Sequence, residues 1–131
     1  MQSYDQLGPV MGAYRENACC TVVALACTLD WSFGKAHRFM AKHGRQNRMG
    51  MRMCDWLPAL REAALKDGKK VQRVDDATGM TINRFVKTHP RGTYYVRVKA
   101  HALAVVDGQI QDWTAGTAQR RKILDCFEIT K

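Results

Sequence analysis

The chain has 131 residues, of which 46% are hydrophobic and 25% are charged, and its formal net charge is +9. This composition predicts a single globular domain, residues 1–131, with one hydrophobic core, and it excludes an intrinsically disordered chain. The positive charge favours anionic partners, namely nucleic acid or an acidic protein, although a basic surface that only keeps the protein soluble is the alternative interpretation.

No segment of the sequence predicts a membrane span or a secretion signal. The longest apolar run, residues 18–29, is interrupted by Thr21 and Thr28 and is shorter than the roughly 20 residues that a span needs. The first residues lack a basic stretch followed by an apolar one. The five cysteines are an odd number, so we expect reduced thiols and a cytoplasmic protein.

The first predicted helix runs from about Cys20 to Leu29, and Asn17 is suited to cap it. Its apolar residues cover every face, which predicts a helix that is buried on all sides. A second helix is predicted from Ser32, as its N-cap, to a stop at Gly44.

Two further helices are predicted before residue 90. One has Asp55 near its start, Pro58 in its first turn and Gly68 as its stop. The other is the short segment TINRFVKTHP, which ends because the residue before a proline is disfavoured in a helix.

The hydrophobic period changes after Pro90 and predicts β-structure. The segment GTYYVRVKAHALAVVDGQIQDW, residues 92–113, is rich in β-branched and aromatic residues and is predicted to form a hairpin with Asp107-Gly108 as its turn. The segments KKVQRV and KILDCFEIT are predicted to be further strands. Helices that precede an antiparallel sheet indicate an α+β fold.

The predicted hairpin places a base and a carboxylate on one face. With a two-residue turn, Val105 faces Ile110 and Leu103 faces Asp112. Alternation then puts these four residues and His101 on one face, with His101 and Asp112 as diagonal neighbours. Diagonal backbones lie roughly 7–8 Å apart, which an imidazole and a carboxylate can bridge with a hydrogen bond. A carboxylate in that position can fix the tautomer and orientation of His101.

Two adjacent cysteines, Cys19 and Cys20, precede and open the buried helix. The positive end of a helix dipole lowers the pKa of a thiol and favours the reactive thiolate. Cys20, the first residue of the helical run, is therefore the preferred nucleophile, and Cys19 is the second choice. The alternative interpretation is that both cysteines are small buried residues without a catalytic role.

The motif CTVVALA, residues 20–26, the helical stretch after it and the hairpin of residues 92–113 resemble the papain-like cysteine peptidase fold in its small form. The nearest likeness is to bacteriocin-processing, double-glycine-type peptidases and related bacteriophage domains, and it covers residues 14–113. The resemblance implies a hydrolase of amide or isopeptide bonds in a peptide or protein, encoded by a phage and active in the host cytoplasm without a cofactor. It implies that Cys20 is the nucleophile, His101 the general base and acid, and Asp112 the orienting carboxylate.

Two positions depart from the pattern of that family. A Gln usually precedes the nucleophile and helps to bind the oxyanion, whereas AYRENAC contains none, so Asn17 and the backbone N–H of Cys20 are expected to replace it. Thr21 stands where Gly is often found. Loss of one oxyanion donor lowers the rate by a factor on the order of 10²–10³. The alternative function is therefore a catalytically weak or inactive domain that acts as a basic binding module for nucleic acid or an acidic protein.

No metal site is predicted. Cys19, Cys20 and Cys27 together with a His offer four ligands, but their spacing does not match the two close pairs of a structural zinc site. The glycines form no phosphate-binding fingerprint, so nucleotide hydrolysis is not predicted either.

Overall fold

The computed structural model describes residues 20–45, 51, 53–99, 101–111 and 120–131. The helices in this part of the chain are α1 (Cys20–Leu29), α2 (Phe33–Lys42), α3 (Met53–Lys66) and α4 (Ile82–Thr88), with a 3-10 helix at Asp75–Ala77. The strands are β1 (Lys70–Arg73), β2 (Thr93–Val98), β3 (His101–Val106), β4 (Gln109–Gln111) and β5 (Asp125–Thr130). The predicted α+β fold class is therefore confirmed.

The described strands form one antiparallel sheet in the order β1-β5-β2-β3-β4. Strands β2, β3 and β4 follow one another as a meander. Strand β5 lies between β1 and β2 and pairs with both. Strand β5, the last of the described strands in the sequence, therefore connects β1 to the meander.

The turn between β3 and β4 has the predicted register, since Val105 pairs with Ile110. The φ angles of Asp107 and Gly108 are 51° and 77°, and a type I′ turn requires positive values at both positions. The carboxylate of Asp107 also accepts a hydrogen bond from the N–H of Gly92 at 3.1 Å. The prediction of an Asp-Gly hairpin turn is confirmed.

A second tight connection, between β2 and β3, was not predicted. Val98 pairs with His101, so that just two residues, 99 and 100, separate the strands. The segment from residue 92 onward therefore contributes three strands instead of the two of a single hairpin. Lys and Ala at positions 99 and 100 carry none of the usual signals of a turn, which are Gly, Pro, Asn, Asp and Ser.

The ends of α2 agree with the sequence signals. The hydroxyl of Ser32 accepts a hydrogen bond from the N–H of Lys35 at 3.2 Å, which is the bond of an N-cap. Gly44 follows the helix with a φ of 98°, a value that favours glycine. Ser32 and Gly44 therefore bound this helix as predicted.

The start of α3 differs from the prediction. Pro58 was expected in the first turn, but the helix begins at Met53 and Pro58 lies inside it. Met53 packs against the hydrophobic core, and this burial extends the helix toward its N-terminus. Because proline has no N–H, Pro58 cannot donate the helical hydrogen bond to the carbonyl of Cys54.

Hydrophobic clusters lie on both faces of the sheet. The first cluster packs α1, α2 and α3 against one face and includes Ala102 and Ala104 of β3. The second cluster, which includes Leu103 and Val105 of β3, packs α4 against the other face. Residues 21–29 of α1 are all buried, as the apolar pattern of this helix predicts. The sheet is thus covered by helices on both sides, and α1 lies on the side of Ala102 and Ala104.

Candidate functional site

Cys20 is the first residue of α1 and lies at the boundary between the core and the solvent. Its side chain is partly exposed, whereas residues 21–29 are buried. The first N–H groups of a helix have no partner within the helix, and they carry the positive end of its dipole. The position of Cys20 therefore combines access for a reactant with a place at the positive end of a helix dipole.

Tyr95, on β2, connects the start of α1 to the sheet. Its hydroxyl donates a hydrogen bond to the carbonyl oxygen of Thr21 at 3.3 Å, and its ring stacks on Trp56 with 4.6 Å between ring centroids. Burial raises the pKa of Tyr95 well above its ordinary value, and the nearby Cys20 raises it further. Sequence analysis missed this residue because strand alternation indicates that Tyr95 is buried but not what its hydroxyl contacts.

His101 is the first residue of β3 and is partly buried. It pairs with Val98, whose side chain belongs to the second cluster, so the Cβ of His101 lies on the sheet face opposite α1. Its predicted face-sharing with Leu103 and Ile110 agrees with their place in that cluster. The structure therefore packs α1 against β3, but it does not put Cys20 and His101 on the same face of the sheet.

His101 is also separated along β3 from the position where Tyr95 contacts the start of α1. Ala104, which pairs with Tyr95, is three residues beyond His101. Three residues of strand correspond to about 10 Å. For the imidazole to meet Cys20, it would have to cross to the other face of the sheet at the end of β3.

Three of the predicted site residues, Asn17, Cys19 and Asp112, lie outside the described residues. The pairing of Leu103 with Asp112 and the hydrogen bond from His101 to Asp112 therefore stay predictions. The same holds for Asn17 as an oxyanion donor and for Cys19 as the second choice of nucleophile.

A buried carboxylate on β5 binds two arginines from the neighbouring strands. One oxygen of Asp125 accepts a hydrogen bond from Nη2 of Arg73 at 2.5 Å, and the other accepts one from Nε of Arg97 at 2.7 Å. Arg97 pairs with Ala102 of β3, so this ion triad lies on the face that α1 covers. The partners are 52 and 28 residues apart, and no local sequence signal connects them.

Among the other described thiols, Cys126 differs sharply from Cys20 in its surroundings, whereas Cys54 resembles it in being accessible at the start of a helix. Cys126 is buried, and burial together with the nearby Glu128 and Asp76 raises its pKa to about 12. Cys54 is exposed and is the second residue of α3. Within the described ranges, no group of three or more His, Cys, Asp and Glu side chains is arranged to hold a metal ion.

Comparison with known protein families, with characterised proteins and with solved structures finds no match for this chain. The papain-like resemblance therefore stays a prediction that rests on the motifs at residues 20–26 and 92–113. Of the helices in the described part of the chain, none has the length and apolar character needed to cross a membrane.

Proposed function

We propose that this protein is a cysteine hydrolase whose nucleophile is Cys20. The observation that carries the proposal is the partial exposure of this thiol at the first residue of a helix whose other residues are all buried. We expect the positive end of the α1 dipole to favour the thiolate there. Cys126 provides the contrast, because burial raises the pKa of its thiol to about 12.

In the proposed reaction, the thiolate of Cys20 attacks the carbonyl carbon of an amide or isopeptide bond and forms a tetrahedral intermediate. His101 donates a proton to the leaving amine, and the intermediate collapses to a thioester. His101 then removes a proton from the water that hydrolyses this thioester. The N–H of Cys20 and the side chain of Asn17 bind the oxyanion, and Asp112 orients His101. The substrate is a peptide or protein, and no step requires a cofactor.

The position of His101 makes this reaction dependent on one side-chain conformation. The backbone places its Cβ on the face opposite α1, so the imidazole must turn over the end of the strand to meet the thiol. His101 is suited to this role because it is the first residue of β3. A histidine further along the strand would have its imidazole separated from α1 by the sheet.

The first experiment measures the rate of alkylation by iodoacetamide at each cysteine as a function of pH, with mass spectrometry as the readout. Cys54 is a matched control, because it is exposed and is also in the first turn of a helix. We expect Cys20 to react faster than Cys54 below pH 8 and to lose this advantage in His101→Ala. Identical pH profiles at the two thiols would show that no imidazole activates Cys20 and would overturn the proposal.

The second experiment tests hydrolysis directly with a library of peptides that includes isopeptide-linked members. Cleavage should be lost in Cys20→Ser and retained in Cys54→Ser. Cleavage that persists in Cys20→Ser would contradict the proposal. The proposal would also be contradicted if the protein cleaved no peptide and its Cys20 showed no thiolate reactivity.

A further inference from the structure

A basic cleft lies between α2 and α3. Its lining consists of four basic side chains, two aromatic rings and one carboxylate, namely Lys35, Arg38, Lys42 and Lys66, Trp31 and Phe39, and Asp67, around a cavity of about 220 Å³. We propose that this cleft binds the phosphate backbone of nucleic acid. The proposal goes beyond the hydrolase and does not depend on it.

Three of the cations form a row on one face of α2. Lys35, Arg38 and Lys42 are separated by three and then four residues, the spacing that places side chains one above another on a helix. At about 1.5 Å per residue the row is about 10 Å long. Successive phosphates of one DNA strand advance about 3.4 Å along the duplex axis, so the row matches about three phosphates. Lys66, from the last turn of α3, adds a fourth positive charge at the side of the row.

Two of the ammonium groups are held in place by the aromatic rings. Nζ of Lys35 lies 4.1 Å from the centre of the Trp31 ring, and Nζ of Lys66 lies 5.2 Å from the centre of the Phe39 ring. Cation–π contacts of this kind fix the position of a charge without cancelling it. The side chains are therefore partly ordered before a ligand arrives, which lowers the entropy cost of binding.

The positive charge of the cleft is only partly offset by carboxylates in the described part of the chain. In the part of the chain that the structure describes, none of the four basic side chains forms an ion pair with a carboxylate. Asp67, the one carboxylate in the lining, accepts a hydrogen bond from Nε1 of Trp31 at 2.7 Å. With four cations against the carboxylate of Asp67, the lining keeps an excess of positive charge for an external anion.

The lining favours a phosphate backbone over an acidic protein. Protein interfaces have aromatic and apolar groups at their centre, but Trp31 and Phe39 are 4% and 8% exposed and offer little surface to a partner. The same burial prevents bases from stacking on these rings. The expected binding is therefore electrostatic, independent of sequence and strongly dependent on salt.

The salt dependence makes the proposal quantitative. Each phosphate that a cation neutralises contributes roughly −0.9 to the slope of log K against log salt concentration on duplex DNA. Four contacts predict a contribution of about −3.6, and the loss of two cations should reduce the slope by about 1.8. Measurement by fluorescence anisotropy with a short labelled duplex over a series of NaCl concentrations gives this slope.

The chain offers a matched control with the same change in net charge. The test pair is Arg38→Gln with Lys42→Gln, and the control pair is Arg84→Gln with Lys87→Gln on α4, at the opposite face of the sheet. We expect weaker binding and a reduced slope for the first pair and no change in slope for the second. Circular dichroism establishes that both pairs fold.

Three outcomes would overturn the proposal. Equal losses in the two double variants would show that net charge, and not the cleft, attracts DNA. Competition by polyglutamate as effective as by unlabelled duplex would indicate an acidic protein instead. Absence of DNA binding at low salt would exclude the nucleic acid altogether. The variant Cys20→Ser should bind DNA as the native protein does, so failure of the hydrolase proposal is distinguishable from failure of this one.

Discussion

The hydroxyl of Tyr95 donates a hydrogen bond to the carbonyl oxygen of Thr21 across 74 residues of sequence. This bond joins the second strand to the first turn of the helix that begins with Cys20. We expect Tyr95→Phe to lower the free energy of unfolding by about 1 kcal/mol, because it removes one buried hydrogen bond and keeps the ring. Urea denaturation measures this loss.

Tyr94→Phe is the control for Tyr95→Phe. The hydroxyl of Tyr94 donates to the carbonyl of Arg91 at 3.4 Å and also interacts with the carboxylate of Glu128 on β5, and neither partner belongs to α1. This variant should have no effect on the alkylation rate of Cys20. An unchanged alkylation rate in Tyr95→Phe as well would mean that the bond to Thr21 does not set the environment of the thiol.

Asp125→Asn should be strongly destabilising. It removes the negative charge that binds Arg73 and Arg97, while both arginines remain on the face that α1 covers. A hydrogen bond to a charged group contributes about 1.5–3 kcal/mol, and the arginines regain some water, so we expect a loss of about 2 kcal/mol. Asp75→Asn is the comparison, since Asp75 also binds Arg73 but is exposed, and its loss should cost under about 0.5 kcal/mol. Equal losses in urea would show that burial of the carboxylate is unimportant.

The pair formed by His43 and Glu62 should make stability depend on pH. The carbonyl of Phe39 and the carboxylate of Glu62 both accept hydrogen bonds from the imidazolium, which raises the pKa of His43 above 6.5, and the same pair lowers the pKa of Glu62 below 4.5. The contribution of His43 is present below pH 6.5 and is lost as pH rises through its raised pKa. That of Glu62 is present above pH 4.5 and is lost as pH falls through its lowered pKa.

Glu62→Gln tests this window. It should destabilise the protein most between pH 4.5 and 6.5, and the difference from the native protein should disappear in alkaline solution. The physical reason is that a neutral imidazole has one N–H and cannot donate to Phe39 and Glu62 together. Thermal unfolding over a pH series measures the effect. A difference that is constant with pH would show that the charge of His43 plays no part.

Pro58→Ala should stabilise the protein. Pro58 is exposed in the interior of α3 and leaves the carbonyl of Cys54 without its helical donor. Proline costs about 3 kcal/mol relative to alanine inside a helix, but it also restricts the unfolded chain by up to about 1 kcal/mol, so we expect a gain of about 1–2 kcal/mol. A rise in the melting temperature is the readout, and a fall would show that the ring of Pro58 packs favourably in the native state.

Local rules predicted the elements that depend on neighbouring residues. The position of α1 follows from a largely apolar run, and the turn at Asp107 follows from the need for positive φ at two successive residues. The order of the strands depends instead on pairing between segments far apart in sequence. Nothing in Asp125–Thr130 itself indicates that this strand lies between β1 and β2.

The candidate site shows the same division. Alternation predicts that His101 shares a face with Leu103, but it does not say which face a helix covers. Ala102 and Ala104 indicate which face is covered, because small side chains allow a helix to approach a strand closely. Both alanines face α1. The row of cations on α2 was not predicted, although its residues lie at helical spacing in the sequence, whereas Lys66 joins it through the packing of α3 and has no sequence signal.

The position of β5 between β1 and β2 has a consequence for synthesis on the ribosome. Strands β1 and β2 do not pair with each other, and both pair with β5, which is the last of the described strands to be translated. A nascent chain of about 120 residues can form the helices and the meander, but it leaves one edge of β2 and the whole of β1 unpaired. Such edges attract other chains. Folding should therefore finish after translation has passed Thr130, and release before that point should produce aggregation.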